Sequence, residues 1–212
     1  MNKQKTNTEK AILEAAEALF LENGYHQAST TMIARKAGVT HAMLHYYYRT
    51  KEQIFLKTVE KNMNLMLHEM QSEMVTGHTF WEIIKGVTIK HFDFLKQHQK
   101  LPNLILEMTK DFPEVVEEYK NRIFATAEQE LTLHNDRFNS EIGKGMMNRV
   151  NPLQLLFSAI SLNMAPFLSI PFLQNVLGMD AGQIDLFLEE RKEENLKLLY
   201  ARLFGKEIPE II

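Results

Sequence analysis

The sequence has no cysteine among its 212 residues, and it holds only six prolines and nine glycines. The absence of cysteine excludes disulfides, zinc fingers and thiol nucleophiles, and it is typical of proteins from a reducing compartment. Apolar residues make up 45% of the chain and charged residues 24%, which predicts a folded protein with a sizeable core. The length allows one large domain, or one small domain and one of medium size.

Long apolar runs are also missing. Residues 1–10 lack the apolar segment of a signal peptide. The longest apolar stretch, Leu162–Leu177, is interrupted by Asn163, Pro166 and Pro171, whereas a helix that crosses a bilayer needs ~20 apolar residues. We therefore expect a soluble, cytoplasmic protein that has no membrane partner.

Charge is divided unevenly along the chain. The formal net charge is −3, but residues 1–51 contain seven basic residues and four acidic ones, and the remaining residues contain 17 basic and 23 acidic. A mildly basic N-terminal part on an acidic body suits a small phosphate-binding module carried by a domain with a different task.

Apolar residues recur with helical spacing along almost the whole chain, and no segment alternates with period two for long enough to predict a strand. Thr6 and Glu9 have the spacing of a capping box for the first helix, and Gly24 is expected to end it. We predict further helices at about 30–37, 41–47, 51 to 77, 80–98, 102–109, 113–142, 152–168 and 182–204. The predicted fold class is all-α.

The segment from Ser29 to Phe55 has the layout of a helix-turn-helix. Two short helices are separated by Gly38, a residue suited to the left-handed conformation at a helix end, and a third helix opens at Lys51. Thr40 can cap the second short helix. In this motif the second helix enters the major groove of DNA, so the pattern predicts duplex DNA as a ligand.

The second short helix has one face for the core and one for solvent. With Leu44 placed toward the core, Tyr48 lies beside it, and the outward face carries Ala42, Met43, His45 and Tyr46, with His41 and Tyr47 at its margins. The alternative is an ordinary pair of helices in a bundle whose aromatic residues are core. Three consecutive tyrosines argue against it, since a seven-residue helix cannot bury all three.

Residues 8–55 resemble the DNA-binding domain of the tetracycline-repressor (TetR) family of transcription regulators. The resemblance is carried by motifs in order: Ile12-Leu-x-Ala-Ala16, Leu19-Phe20, Asn23-Gly24-Tyr25, Thr30, Ile33-Ala34, Ala37-Gly38-Val39-Thr40, Leu44, Tyr46-Tyr47-Tyr48 and Lys51-Glu52-x-x-Phe55. It covers about a quarter of the chain and implies an N-terminal DNA-binding domain of three helices, residues 1–51, and a larger helical domain for ligand binding and dimerisation, residues 52–212.

The resemblance also implies DNA contacts for ten residues: Ser29, Thr30, Thr40, His41, Ala42, Met43, His45, Tyr46, Tyr47 and Lys51. Of these, Ser29, Thr30 and Lys51 match phosphate contacts, and the residues of the second short helix match contacts to bases or backbone. Two positions depart from the family pattern, because Ala42 stands where glycine is common and His45 where tyrosine is usual. Base preference therefore cannot be read from the sequence.

Catalytic and metal-binding motifs are missing from the sequence. It has no Gly-rich phosphate loop and no nucleophile elbow, and the histidines outside the N-terminal part are dispersed without metal-ligand spacing. We therefore expect no enzymatic activity, no cofactor and no metal. Two alternatives stay open, a helical enzyme that binds a small molecule and a protein-interaction module.

The body, residues 52–212, is rich in Met and Phe, which could surround an apolar small molecule. The candidate polar groups for such a pocket are His91, Thr109 and Asn163. Segments 152–168 and 184–204 carry more apolar surface than one chain can cover, and the resemblance implies a homodimer through these helices. The expected protein is a bacterial repressor that a small-molecule ligand releases from palindromic operator DNA.

Overall fold

The computed structural model describes residues 2–73, 79–113 and 135–205, with side chains from Asn7 onward. Helices make up nearly all of these residues and no strand occurs among them, which confirms the predicted all-α fold. The helices are α1 (Asn2–Gln27), α2 (Thr30–Ala37), α3 (His41–Tyr47), α4 (Lys51–Gln71), α5 (Phe80–Gln97), α6 (Leu101–Asp111), α7 (135–143), α8 (Pro152–Leu168), α9 (Ile170–Asn175) and α10 (Ala181–Phe204).

The chain forms two compact units. The N-terminal unit contains Met1–Leu65 and Lys100–Val116, and the C-terminal unit contains Met66–Gln99 and Glu117–Ile212. The first part of α4 and the whole of α6 therefore pack with the N-terminal residues. The division into functional domains at residues 1–51 and 52–212 stays a prediction.

The bounds of α2 and α3 are those predicted from the sequence. Helix α1 begins at Asn2, so Thr6 lies inside the helix and the predicted capping box with Glu9 is wrong. Gly24 interrupts α1 with φ 74° and ψ 171°, after which the helix continues to Gln27. The predicted helix end at residue 77 and much of the predicted helix 113–142 lie outside the described residues.

Aromatic rings join α1, α4 and α6 in the core of the N-terminal unit. The ring of Phe20 meets that of Phe55 edge to face, with centroids 5.2 Å apart. Tyr25 lies 4.7 Å from Phe55 and 5.1 Å from Phe112, between centroids. Such ring pairs stabilise a core beyond the area they bury. The cluster places the end of α1 against the residues that follow α6.

The core of the C-terminal unit lies between α5, α8 and α10. Helix α5 begins with a capping box between Thr79 and Glu82, and α10 begins with one between Asp180 and Gln183. Among the described residues, three apolar clusters lie in the interior. The first contains Phe80, Phe138, Met147, Val150, Leu155, Ala159, Leu199 and Leu203, the second contains Phe92, Leu95, Phe167, Leu173, Ile184 and Leu188, and the third contains Met70, Ile83 and Val87.

Helices α8 and α9 together form an apolar stretch, Pro152–Asn175, of 24 residues with a mean hydropathy of 1.6. By length and composition alone it is long enough to cross a membrane, which the sequence analysis did not expect. Within this stretch Asn163 is fully buried and donates a hydrogen bond to the backbone carbonyl of Thr88. The inner face of α8 therefore packs as a core helix of the C-terminal unit.

Two glycines of the N-terminal unit provide a matched test of the turn in α1. Gly24 has a backbone conformation open almost only to glycine, and a Cβ there would lie 2.8 Å from Oε1 of Glu107. Gly38 is left-handed, but a Cβ there meets nothing within 4 Å. We expect Gly24→Ala to lower the free energy of unfolding by about 3 kcal/mol and Gly38→Ala by about 1 kcal/mol. Urea denaturation of both variants measures the difference, and equal losses would contradict the tighter constraint at Gly24.

Candidate nucleic-acid interface

Side-chain caps begin both α2 and α3, and of these the sequence predicts the one at Thr40. The hydroxyl of Ser29 accepts from the backbone N–H of Met32 at 3.2 Å, and the hydroxyl of Thr40 accepts from that of Met43 at 3.1 Å. Gly38 between them is left-handed, with φ 68° and ψ 27°. These local interactions set the angle at which α3 leaves α2.

The inner side of α3 is anchored in the N-terminal unit. Leu44 is fully buried and Tyr48 is 6% exposed, which confirms the predicted inward face. The Tyr48 hydroxyl donates to the carboxylate of Glu9 at 3.3 Å. Burial, reinforced by the neighbouring Glu9 carboxylate, holds the pKa of the Tyr48 hydroxyl above its usual range. The hydroxyl therefore stays protonated and links α3 to α1.

The outer side of α3 is open to solvent. We call its exposed residues, His41, Ala42, Met43, His45 and Tyr46, the recognition face. Tyr46 is 73% exposed and Met43 43%, values that are high for such large apolar groups. Their exposure agrees with the predicted outward orientation, and their contact with DNA stays a prediction.

The two histidines of the recognition face are held by neighbours. Nδ1 of His45 lies 3.2 Å from the carbonyl oxygen of Arg49, which can only accept, so Nδ1 donates. The Nε2 atom of His45 is then left to interact outward. Nε2 of His41 lies 3.1 Å from the hydroxyl of Thr30, which joins α3 to α2. Two predicted DNA contacts, Thr30 and His41, are thus bonded to each other.

Lys51 has partners inside the protein that the sequence analysis missed. Its Nζ donates to the backbone carbonyls of Tyr25 at 2.9 Å, Ala28 at 3.1 Å and His26 at 3.4 Å. The ammonium group also lies 4.2 Å from the centroid of the Tyr25 ring. Lys51 therefore ties the start of α4 to the end of α1, while its predicted phosphate contact stays a prediction.

Helix α6 holds the same end of α1 from another side. A carboxylate oxygen of Glu107 accepts from the backbone N–H of Tyr25 at 2.8 Å, and Nε2 of His26 lies 2.9 Å from a carboxylate oxygen of Asp111. No sequence signal could have found these pairs, because 82 residues separate Tyr25 from Glu107.

The three candidate ligand residues do not come together. Thr109 is exposed in the N-terminal unit, and its hydroxyl donates to the carbonyl of Leu106 in its own helix. His91 and Asn163 meet in the C-terminal unit, 4% and 0% exposed, with Nδ1 of His91 3.2 Å from Nδ2 of Asn163. Only this pair is brought together by the fold.

The pair belongs to a longer series of polar groups that we call the buried polar chain, which contains the buried residues Thr88, His91, Asn163 and Asn195 and ends at the half-buried Arg191. The Asn163 amide donates to the Thr88 carbonyl at 2.8 Å and accepts from the Asn195 amide at 3.0 Å. Asn195 in turn accepts from Arg191 at 2.7 Å. Burial lowers the pKa of His91 to about 4, so its ring is neutral near pH 7. Asn195 and Arg191 carry no signal in the sequence that would have placed them in the buried polar chain.

No group of three or more His, Asp or Glu side chains among the described residues could hold a metal ion.

Comparison with known proteins identifies relatives of the helix-turn-helix segment. Residues 12–58 match the family of bacterial regulatory proteins described as the tetR family. The helix-turn-helix segment of this chain therefore matches the TetR family. The matched residues contain α2, α3 and the start of α4, together with the whole recognition face.

A curated relative of this chain is the fatty acid metabolism regulator protein of Bacillus subtilis, which is 32% identical over 93 residues. The alignment covers 44% of this chain and 48% of the relative. The chain thus spans about half the length of that protein.

Solved structures of TetR-family regulators share the fold over nearly the full chain. A regulator from Marinobacter aquaeolei has a TM-score of 0.66 at 18% identity, covering 96% of this chain and 98% of its own. FadR from Bacillus subtilis in complex with stearoyl-CoA has a TM-score of 0.63 at 20% identity, covering 91% of this chain and 98% of its own.

Replacing Lys51 tests its role within the protein. We expect Lys51→Met to lower the free energy of unfolding by about 2 kcal/mol, because the carbonyls of Tyr25 and His26 in α1 and of Ala28 just after it lose their donor. Lys36→Met, at an exposed position of α2, should change it by less than about 0.5 kcal/mol. Chemical denaturation measures both. Equal stability of the two variants would leave Lys51 without the structural role assigned to it.

The buried His91 should make stability depend on pH. The folded protein holds the ring neutral down to about pH 4, whereas the ring of the unfolded chain binds a proton below about pH 6.5. The free energy of unfolding should therefore fall as pH decreases from 6.5 to 4, by at most about 3 kcal/mol from this group. Denaturation at several pH values should show a shallower slope for His91→Gln. An unchanged slope would contradict the burial of a neutral ring.

Proposed function

We propose that the protein is a DNA-binding transcription regulator that acts as a homodimer on a palindromic operator and is released from it by a small-molecule ligand. The observation that carries the proposal is the recognition face, which is solvent-exposed on a helix anchored by Leu44 and Tyr48 within a TetR-family domain. Its tyrosine, histidine and methionine side chains can contact thymine methyls, base edges and phosphates.

The homodimer is supported by an uncovered apolar surface on α8, α9, α10 and the residues after α9. Seven large apolar residues there are exposed: Leu153, Phe157, Phe172, Val176, Leu177, Leu186 and Leu198. Exposed apolar residues concentrated on a few helices are typical of interaction sites when they form one patch. A second copy related by a two-fold axis would cover it and place two recognition faces on successive major grooves.

The effector we propose is an apolar acyl compound. The B. subtilis protein to which this chain is similar is a fatty acid metabolism regulator, and the similar B. subtilis FadR structure contains stearoyl-CoA. In this chain, an apolar cluster of phenylalanine, leucine and isoleucine side chains occupies part of the C-terminal unit. Helix α4 begins in the N-terminal unit and ends in the C-terminal unit, so it is the element that would carry the effector's influence to the recognition face.

We further propose that the protein works in the cytoplasm by binding and release, without catalysis. Two alternatives, a helical enzyme and a protein-interaction module, are separated from this proposal by direct experiment. Turnover of the bound ligand would favour the enzyme. Selection from a random duplex DNA pool should instead enrich a palindrome, and no enrichment would exclude the proposed function.

The recognition face can be tested at its most exposed residue. Tyr46→Ala should weaken binding to the selected operator about tenfold or more, because it removes a contact to bases or backbone. Leu65→Ala, at a 47% exposed apolar position of α4 outside the helix-turn-helix, should bind as the unaltered protein does. Fluorescence anisotropy at fixed salt measures both, and circular dichroism checks folding. If Tyr46→Ala keeps full affinity, the recognition face has been assigned wrongly.

The salt dependence of binding gives an independent check on DNA contact. A dimer that makes 6–10 phosphate contacts should lose ~10³–10⁵ in affinity between 50 and 200 mM salt. A protein-interaction surface without this charge complementarity would show a much weaker dependence.

A further inference from the structure

The hydrogen bonds of the buried polar chain determine where the proton of His91 lies. The Asn163 amide is oriented by two neighbours, since its oxygen accepts from Asn195 and its nitrogen donates to the Thr88 carbonyl. The amide nitrogen therefore also faces Nδ1 of His91 as a donor, at 3.2 Å. Nδ1 must accept, so the proton of the neutral ring is on Nε2.

This Nε2–H group has no acceptor among the residues that the structure describes. His91 is only 4% exposed, so bulk water does not reach most of the ring to accept this hydrogen bond. Buried donors in folded proteins are almost always paired, and each exception calls for an explanation. A ligand that supplies the missing acceptor is the explanation that agrees with the apolar surroundings.

The surroundings favour an apolar ligand with a neutral acceptor. Phe92, which follows His91 in the sequence, belongs to an apolar cluster, and Met164, which follows Asn163, packs against the same cluster. The one cation of the buried polar chain, Arg191, already donates to Asn195 at the far end. A carboxylate beside the neutral His91 would be buried without a cation, which is strongly unfavourable. A carbonyl oxygen carries no such cost.

We infer that His91 binds the carbonyl oxygen of the effector's acyl group through Nε2–H. The acyl chain would then lie in the apolar cluster that contains Phe92 and Phe167. The inference rests on the proposed function and names the chemical group by which the effector is recognised. Asn163, Asn195 and Arg191 are positioning residues, because they hold the ring tautomer and link α5 to α8 and α10.

A pair of ligands that differ only at the carbonyl tests this inference. Stearoyl-CoA has a thioester carbonyl, and S-octadecyl-CoA has a methylene group in its place. The unaltered protein should bind stearoyl-CoA about tenfold more tightly by isothermal titration calorimetry, since one hydrogen bond to a buried donor is lost in the analogue. His91→Leu should bind the two ligands equally.

Two further variants separate recognition from folding. His91→Gln keeps one acceptor and one donor and should retain part of the preference for stearoyl-CoA. Thr109→Val, at the exposed candidate of the N-terminal unit, should retain all of it. If His91→Leu does not fold, the Nε2 proton of the unaltered protein provides the readout, because its NMR resonance should move downfield with stearoyl-CoA and not with the analogue.

Equal binding of the two ligands by the unaltered protein, no binding of stearoyl-CoA, or an unmoved Nε2 proton would each overturn the inference. Binding of the selected operator DNA by the same preparation is measured alongside. If DNA binding holds while the ligand result fails, only the inference about His91 falls. Loss of both removes the proposed function as well.

Discussion

The arrangement of the N-terminal unit depends on the hydrogen bonds that the ammonium group of Lys51 donates to backbone carbonyls. The carbonyls at the end of a helix have no donor within that helix, and those of Tyr25, His26 and Ala28 receive theirs from one side chain at the start of α4. Because α2 begins directly after this point with Ser29 as its cap, the position of α3 follows from where α1 ends. The ammonium group that is predicted to contact DNA is thus already bonded to the end of α1, and through it the protein positions α2 and α3.

The C-terminal unit depends on hydrogen bonding of a different kind. Asn163 and Asn195 are both fully buried, which is tolerated because each amide finds both donors and acceptors within the buried polar chain. These hydrogen bonds join α5, α8 and α10 through groups that must be paired, a requirement that apolar packing does not impose. The paired amides permit one register, and they leave His91 with its single unused donor.

Local signals explain what could be predicted from the sequence. Ser29, Gly38 and Thr40 act within three or four residues of their own positions, and the bounds of α2 and α3 were therefore predicted correctly. The pairing of Tyr25 with Glu107, and that of Asn163 with Asn195, joins residues distant in the chain with no periodic pattern to reveal them. Thr109 looked equivalent to His91 as a polar residue in an apolar segment, and only packing distinguishes the exposed one from the buried one.

The caps of α2 and α3 are compatible with the DNA contacts predicted for the same residues. A hydroxyl oxygen that accepts from a backbone N–H keeps its own proton. Ser29 and Thr40 accept from Met32 and Met43, and each can still donate to a phosphate oxygen approaching the helix end. The free backbone N–H groups of the first turn attract the same anion. The phosphate contacts predicted at α2 and α3 therefore do not need the ammonium group of Lys51, which could remain at the end of α1 in the proposed complex with DNA.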